Sequence, residues 1–453
     1  MVITLFLILK TGTQNWTPYL LTVFTLCITT ACHHDVNDEE KTLAKRTVLI
    51  YICAENNLDQ YSFFEDNYQD MITGAQYLAD DQNLIIFADR MSKEEKPYIA
   101  KCDKNGIKKV KVYSEDFYCT DKEKMKEVMQ WVAKNYPAES YALSLWGHAN
   151  GWIQMSDAFT RSTSKLKQIA KAYGGDSGED HPNGSDGYKF INIQDLDEAI
   201  AASFPKLDFI FFDCCQAICA EVAYEMRNTA RYLIGSPAEI PGKGAPYVKV
   251  VKDFFLAKDE VGPAIVDDYI GSLTANVDSQ TGNVDNLKVK GLPLSVIDTD
   301  RMNDFAEATA TALSTFMSKY QYPNELNLSG MIYYGKNDYV GNCPCFYDAR
   351  NIMRGHLSSE DFKKWDEVLQ KTVVYSSYPG DNKQSKLTNW ATAEQIAFST
   401  FQMNEANYGG ISLFVPQNYY QWVSGTNLNP NKSIFRMSWT NVVDWSKWGW
   451  SRE

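Results

Sequence analysis

Short apolar runs alternate with amphipathic stretches along the first two thirds of the chain. The apolar runs end at glycine or at polar side chains, as is typical of central strands covered on both faces of a sheet. They predict strands at Thr47–Cys53, Asn83–Arg90, Tyr141–His148, Leu207–Asp213, Ala230–Ser236 and Leu294–Ile297. The amphipathic stretches predict helices at Tyr61–Leu78, Asp121–Asn135, Ile193–Ser203, Gln216–Asn228 and Asp298–Tyr320. Strands and helices in this rhythm favour an α/β fold with a parallel or mostly parallel sheet.

Two of the predicted strands end beside a reactive side chain. His148 ends the run that starts at Tyr141, and Cys215 follows Leu207–Asp213, 67 residues after His148. Adjacent parallel strands bring their carboxyl ends together, and open α/β sheets usually build their sites at that edge. A thiol and an imidazole placed there are the parts of a nucleophilic catalyst. A single strand-end cysteine is otherwise typical of a small buried apolar residue.

The spacing around Cys215 predicts how its thiol would be used. The predicted helix Gln216–Asn228 begins directly after it, and a helix N-terminus stabilises a thiolate relative to the free thiol, whose pKa is about 8.5. His148 would take and return the proton, and the backbone N–H groups of Ala149 and Cys215 would stabilise an oxyanion. None of the cysteine spacings forms a convincing zinc set, so no metal ligand is predicted.

Four blocks of the sequence resemble the clostripain-type cysteine peptidases: Thr47–Leu58, Leu145–Trp152, Phe212–Asn228 and Leu233–Tyr247. That family pattern runs as a strand, then Asp-Ala-Cys, a helix with Glu-Val-Ala-Tyr-Glu, and a Pro-Gly-Asp-Gly segment. The resemblance implies a caspase-like α/β/α sandwich with a mostly parallel central sheet, and cysteine endopeptidase activity through a Cys/His dyad. We expect the peptidase domain to cover residues 46–300 and a smaller C-terminal subdomain to cover residues 301–453.

The resemblance also assigns roles to individual positions. Cys215 takes the place of the nucleophile and His148 that of the general acid/base. Cys214 stands where the family usually has alanine and is an alternative nucleophile, although its side chain would point to the opposite side of an extended strand. Asp213 matches an acidic residue that lines the pocket for the residue before the cut; alternatively, it caps the following helix.

One position departs from the family in a way that bears on specificity. Lys243 stands where the family has the aspartate of Pro-Gly-Asp-Gly, which is expected to help hold an arginine or lysine of the substrate. A lysine in a desolvated pocket would repel such a cation. Either Asp213 or another carboxylate such as Glu239 supplies the attraction, or the preference has changed to an acidic or uncharged residue.

The composition of the segment between the two reactive residues predicts that proteolytic cleavage occurs within it. Residues 156–188 are polar and rich in glycine, which predicts an exposed loop. The resemblance implies a zymogen that cuts itself, and exposed loops are the favoured places for such nicks. The candidate cleavage positions are Arg161, Lys165, Lys167 and Lys171.

The N-terminal region predicts export. Residues 1–32 resemble an export signal, and their last apolar stretch ends before Cys32 as in bacterial lipoprotein signals, which would attach lipid to Cys32. Secretion without lipid is the alternative. Residues 33–45 are polar and acidic and suit a tether. We therefore expect an extracytoplasmic protein held at the membrane by its N-terminal lipid, in the periplasm or at the cell surface.

Composition and the remaining motifs limit the classes of partner and cofactor that we expect. The formal net charge is −13 and no basic stripe offsets it, which argues against nucleic-acid binding and leaves protein or peptide substrates. The mechanism requires no cofactor. Calcium dependence occurs in some relatives, but the chain has no Asp-rich loop of the EF-hand type.

Two other classes of protein compete with the peptidase interpretation. The first is a binding protein that has kept the peptidase fold without catalysis, which the Lys243 substitution favours and which His148 and Cys215 oppose. The second is a redox protein that uses Cys214, Cys215 and Cys219, whose spacing lacks the Cys-x-x-Cys geometry.

Overall fold

A computed structural model describes residues 43–153, 173–178, 188–279, 291–337, 343–385, 387, 402–422 and 429–451. These residues belong to one compact unit, Leu43–Glu453. The predicted export signal, most of the tether and Cys32 lie outside the described residues. Within the described residues, no helix is long and apolar enough to cross a bilayer.

The strands, numbered in chain order, are β1 Ala44–Ala54, β2 Gln82–Arg90, β3 Tyr98–Asp103, β4 Gly106–Val112, β5 Ala138–Trp146, β6 His148–Ala149, β7 Tyr173–Asp176, β8 Lys189–Ile191, β9 Leu207–Asp213, β10 Ala230–Gly235, β11 Leu294–Asp298, β12 Lys336–Asn337, β13 Cys343–Pro344, β14 Tyr347–Asp348, β15 Val373–Ser377 and β16 Ser412–Leu413.

The α-helices are α1 Asn57–Gln60, α2 Phe63–Ala75, α3 Lys122–Asn135, α4 Ile193–Ala201, α5 Ala220–Glu225, α6 Tyr247–Asp253, α7 Lys258–Ser279, α8 Met302–Phe316, α9 Ala349–His356, α10 Ser359–Thr372 and α11 Pro430–Ser433. Five of these helices, α1, α3, α9, α10 and α11, begin after a residue whose side chain caps the first turn. Asp121, for example, accepts hydrogen bonds from the first backbone N–H groups of α3.

Nine strands form the central sheet in the order β15-β11-β10-β9-β5-β1-β2-β3-β4. The five inner strands, from β10 to β2, pair in parallel. The two strands at each edge pair in antiparallel fashion. The carboxyl ends of the five inner strands therefore meet at one edge of the sheet, as predicted for a mostly parallel α/β fold.

The inner strands are apolar on both faces because helices cover both faces. Along β1, Val48, Ile50 and Ile52 belong to one buried cluster, which also contains residues of α2, α6 and α7. Leu49 and Tyr51 alternate with them and belong to a second cluster, which contains residues of α3, α4 and α8. Side chains of a strand alternate between faces, so this pattern is that of an α/β/α sandwich.

Residues beyond 300 contribute to the same sheet and the same core. Strand β15 pairs with β11, and the aromatic side chains Trp439 and Trp445 are buried in the cluster that contains α3. The sequence-based boundary of a separate C-terminal subdomain at residue 301 stays a prediction.

Candidate active site

The register of two inner strands brings the reactive residues to one level of the sheet. Strands β5 and β9 pair in parallel, with Trp146 opposite Asp213. His148 and Cys215 each lie two residues beyond that pair. Two segments that are 67 residues apart in sequence thus deliver an imidazole and a thiol to the same part of the carboxyl edge.

The pattern of exposure singles out the same two residues. Every residue from Tyr141 to Ile153 is buried except His148, which is half-buried. Every residue from Phe209 to Tyr224 is buried except Cys215, which is also half-buried. Each strand end therefore offers one side chain to solvent, and in each it is the side chain with the chemistry of a nucleophilic site.

Cys214 lies on the other side of the chain. Its side chain has no exposed surface and belongs to the apolar cluster shared with α3 and α4. Burial raises the pKa of its thiol well above the ordinary value, because no solvent or cation stabilises the thiolate there. The geometry favours Cys215 over Cys214 as the reactive thiol.

The chain turns sharply immediately after Cys215. Gln216 has a φ of 55°, in the left-handed region that side chains other than glycine and asparagine adopt at a cost. Its N–H donates to Ala238 O at 2.8 Å, and Ile218 N–H donates to Ser236 O at 3.1 Å. These bonds hold the turn, and the strain is of the kind that clusters at functional sites.

The predicted helix at Gln216–Asn228 is wrong in its start. Helix α5 begins at Ala220 and is followed by a 3-10 turn over Met226–Asn228. The turn at Gln216 occupies the intervening residues, so Cys215 is not at a helix N-terminus. The expectation that a helix stabilises its thiolate is therefore wrong.

His148 has a partner that the sequence did not single out. Its Nε2 lies 2.6 Å from Oδ1 of Asn57, the first residue of α1. In the tautomer that carries the proton on Nε2, the ring donates to this amide oxygen and Nδ1 is the basic nitrogen. Strand β1 lies beside β5 in the sheet, and α1 follows β1. The polar residues after β1 are therefore the feature of the sequence that could have indicated this contact.

Both members of the pair favour their neutral forms. Burial raises the pKa of Cys215 to about 12, and the negative charge of Glu239 adds to this rise. Burial lowers the pKa of His148 to about 4. The resting pair is therefore a thiol and a neutral imidazole, not a thiolate–imidazolium ion pair.

The two predicted oxyanion donors flank the pair. Ala149 follows His148 in β6, and Cys215 N–H precedes the turn. The N–H groups of Gln216 and Ile218, which follow Cys215, already donate to the carbonyl oxygens of Ala238 and Ser236. The amides of Ala149 and Cys215 stay the predicted donors.

Asp213 lies beneath the site and is tied to the loop before α6. Its side chain is 2% exposed and accepts hydrogen bonds from Ala245 N–H at 3.0 Å and from the Tyr247 hydroxyl at 2.8 Å. Burial raises its pKa to about 6, although the two donors oppose the rise. The cap of α5 is Cys219, so the alternative role of Asp213 as a helix cap is wrong.

A glycine allows this loop to approach Asp213. Gly244 has a φ of 67°, and a Cβ there would lie 2.7 Å from Oδ2 of Asp213. A side chain at this position would both strain the backbone and displace the carboxylate.

The charges of Lys243 and Glu239 change the pKa values of different residues. Lys243 is exposed; its carbonyl accepts from Asn67 Nδ2 at 2.8 Å, and its charge lowers the pKa of Asp70, on α2, against the rise due to burial. The shift at Asp213 comes from burial and its two donors. Glu239, in contrast, acts on Cys215. The acidic residue is thus the one whose charge reaches the thiol.

Arg161, Lys165, Lys167 and Lys171 lie outside the described residues, as does Cys32. Two groups of side chains of the types that bind metal ions, which share Asp89, include neither Cys215 nor His148.

A strand-end thiol and imidazole on a helix-covered parallel sheet define the class of cysteine hydrolases with an α/β sandwich. The model of the clostripain family matches residues 50–448, and the chain belongs to that family of cysteine peptidases. This confirms the family, the fold and the enzyme class expected from the sequence.

Solved structures agree with this assignment. A secreted C11 cysteine protease from Bacteroides thetaiotaomicron, in complex with an irreversible peptide inhibitor, is 25% identical and has a TM-score of 0.67, with 89% of this chain and 99% of that chain covered. An inactive zymogen C11 protease from Parabacteroides distasonis is 23% identical and has a TM-score of 0.65 over 89% and 99% of the two chains, which supports the fold. No curated protein matches the chain.

Proposed function

We propose that this cysteine peptidase is an endopeptidase that uses Cys215 as nucleophile and His148 as general acid/base. The observation that carries the proposal is the pair of half-buried side chains at register-matched ends of β5 and β9, each in an otherwise buried segment. The family assignment supplies the reaction class, and the arrangement supplies the residues.

The neutral resting pair favours a concerted first step. As Cys215 Sγ attacks the carbonyl carbon of the substrate, its proton passes to Nδ1 of His148, and the N–H groups of Ala149 and Cys215 donate to the oxyanion. Collapse of this intermediate breaks the C–N bond, and the imidazolium gives its proton to the leaving amine. The resulting thioester is cleaved by a water molecule that His148 deprotonates, which releases the acid and restores the thiol.

We further propose that the residue before the cut is arginine or lysine. Asp213 and Glu239 supply negative charge beside Cys215, while the charge of Lys243 acts on Asp70 of α2. Lys243 therefore does not oppose a basic side chain in the manner that its position in the sequence suggests.

Cleavage of a peptide library varied at the residue before the cut tests both parts. We expect cutting after Arg or Lys, and a loss of at least about a thousandfold in kcat/KM in Cys215→Ala. Cys214→Ala is the matched control and should keep its activity. Cutting after Asp, Glu or apolar residues would overturn the specificity. Equal cutting by wild type and Cys215→Ala would exclude Cys215 as the nucleophile, and no cutting by either would favour the non-catalytic binding protein.

We also propose that the chain is extracytoplasmic, carries lipid on Cys32 and is activated by its own cleavage at Arg161, Lys165, Lys167 or Lys171. A secreted relative and a relative described as a zymogen support these proposals. Sequencing of the fragment N-termini from wild type and from Cys215→Ala tests self-cleavage, since an active but uncut wild type would exclude it. The mass of the mature N-terminus tests lipidation.

A further inference from the structure

A second group of titratable residues lies near the carboxyl ends of β1 and β2. Glu55 follows β1, Asp89 is in β2, Asp116 lies between β4 and α3, and Asp176 ends β7. The exposed fractions of Glu55, Asp89, Asp116 and Asp176 are 0%, 1%, 6% and 0%. We call these four residues the acidic cluster. The thiol of Cys119 lies beside them.

The spacing of the cluster is that of ligands around one ion. Oxygen atoms of Glu55, Asp89 and Asp116 lie within 4.8 Å of one another. Atoms of Asp89, Cys119 and Asp176 satisfy the same limit, so Asp89 is common to both groups. Ligand oxygens about 2.3–2.6 Å from a calcium ion are separated by at most roughly 5 Å.

One oxygen of the shared residue has no partner. Oδ2 of Asp89 is fully enclosed and accepts no hydrogen bond from any described residue. No described lysine or arginine forms an ion pair with Asp89 or Asp176. Asp176 accepts hydrogen bonds from the backbone N–H groups of Cys119 and Gly178, so Asp89 Oδ2 is the oxygen that lacks a donor. A buried carboxylate oxygen without a donor or a counter-charge is costly, and such groups are normally paired or coordinate metals.

The electrostatics of the cluster agree with this geometry. Burial, together with the charges of Asp176 and Asp116, raises the pKa of Glu55 to about 9. Burial and repulsion from the other acids likewise raise the pKa of Asp89 well above its ordinary value. A divalent cation would offset this repulsion between the carboxylates.

We propose that the acidic cluster binds one hard divalent cation, and that calcium fits it best. Its ligands are carboxylate oxygens of Glu55, Asp89 and Asp116, with Asp176 completing the set. Because these residues come from four separate segments, the site has no contiguous loop motif. Carboxylate oxygens favour a hard cation. A buried set of four carboxylates suits calcium, which takes six to eight oxygen ligands in flexible geometry, better than magnesium, which usually binds one or two carboxylates and keeps several waters.

The position of the cluster connects it with the catalytic pair. Glu55 lies in the turn after β1, and Asn57, two residues further on, begins α1 and contacts His148. Ser177 donates to Glu55 through its backbone N–H and its hydroxyl, each at 2.9 Å. Cation binding would therefore order the turn that positions His148. This link rests on the proposed function, whereas binding and stability do not.

The test uses the full chain freed of cations with EDTA. Isothermal titration with calcium chloride should give one binding site. Calcium at millimolar concentration should raise Tm by about 3 °C or more, increasing with the logarithm of its concentration. Magnesium should give a smaller shift. These readouts do not depend on proteolysis, so failure here and failure of the peptidase proposal are distinguishable.

Asp89→Asn should weaken calcium binding by about tenfold or more while leaving the EDTA-treated protein at least as stable as wild type, because the amide removes an unpaired buried charge. Glu115→Gln is the matched control, an exposed carboxylate next to Asp116. If Asp89→Asn does not fold, the wild-type titration still decides. Absence of calcium binding in the wild type would overturn the proposal, as would a zinc-specific response that Cys119→Ser abolishes.

Discussion

The proposed catalytic pair, His148 and Cys215, and the acidic cluster occupy neighbouring parts of the same sheet edge and differ in their exposure to solvent. His148 and Cys215 follow β5 and β9 and are half-buried, whereas the acidic cluster lies around β1 and β2 and is buried. Burial shifts the pKa values in both places. In the pair, burial favours the neutral thiol and the neutral imidazole, and both side chains remain accessible to a substrate. In the cluster, burial places several carboxyl groups close together without water to screen their charges.

Burial therefore has different consequences for the two groups, although they lie at the same edge of the sheet. A nucleophile must contact a substrate, so a site with a single open side chain per strand suits catalysis. Carboxylates that are enclosed cannot contact a peptide, and their repulsion is relieved by protons or by a cation. The two groups meet at the turn after β1, where Asn57 contacts His148 and Glu55 belongs to the cluster.

The largest expected effect that separates the two groups is that of Asn57→Ala. Without the amide oxygen, His148 loses the contact that fixes its ring, and kcat should fall by about tenfold or more. Asn57→Asp should retain the contact and raise the pKa of His148, which would shift the acid limb of the pH profile upward. The calcium-dependent rise in Tm should be unchanged in Asn57→Asp. An Asn57→Ala variant with wild-type kcat and pH profile would contradict the positioning role.

The pH dependence of kcat/KM provides the next test. Catalysis needs the neutral imidazole, and the pKa of His148 in the folded protein is about 4, so the acid limb should fall near pH 4 and not near 6.5. The unfolded chain binds more protons at this histidine between those values, so its contribution to stability is lost as pH falls from about 6.5 to about 4. A midpoint near 6.5 would show that burial does not govern this imidazole.

The smallest expected effect concerns Glu239. Its charge raises the pKa of Cys215, so Glu239→Gln should lower that pKa and increase the rate of alkylation by iodoacetamide at pH 8.5 by about two- to fivefold. The exposed Glu94→Gln is the control and should leave the rate unchanged. A slower reaction in Glu239→Gln would mean that the carboxylate assists the thiol.

The apolar runs predicted the sheet well because strands buried on both faces leave a continuous signal. Leu207–Asp213 was predicted with its observed bounds. The parallel pairing of β9 with β5 agrees with the mostly parallel sheet predicted from the alternation of strands and helices, whereas the register of the two strands was not predicted. The helix after Cys215 was predicted to begin too early, because no local sequence pattern indicates that Gln216 adopts a positive φ. Local periodicity does not report a strained turn that distant segments hold in place.

Residues of the candidate site that end apolar runs could be identified from the sequence, whereas those in other segments could not. His148 and Cys215 end apolar runs, whereas Asn57 is one polar residue in a turn, and its role depends on β1 lying beside β5. The acidic cluster comes from four segments spread over 122 positions, from Glu55 to Asp176, with no contiguous motif. The effect of the Lys243 charge on Asp70 likewise depends on a contact distant in sequence, in which Asn67 of α2 donates to the Lys243 carbonyl.

The pairing of β5 with β9 holds these strands side by side independently of the chain segment that connects them. Everything between these strands, including residues 154–172, connects two neighbours that are held by parallel pairing from Leu143 and Ile210 to Trp146 and Asp213. A cut in that connection leaves each product with strands in the centre of one sheet and side chains in both buried clusters. The nicked protein would then be two polypeptides on a denaturing gel and a single particle in solution, with the imidazole and the thiol contributed by different chains.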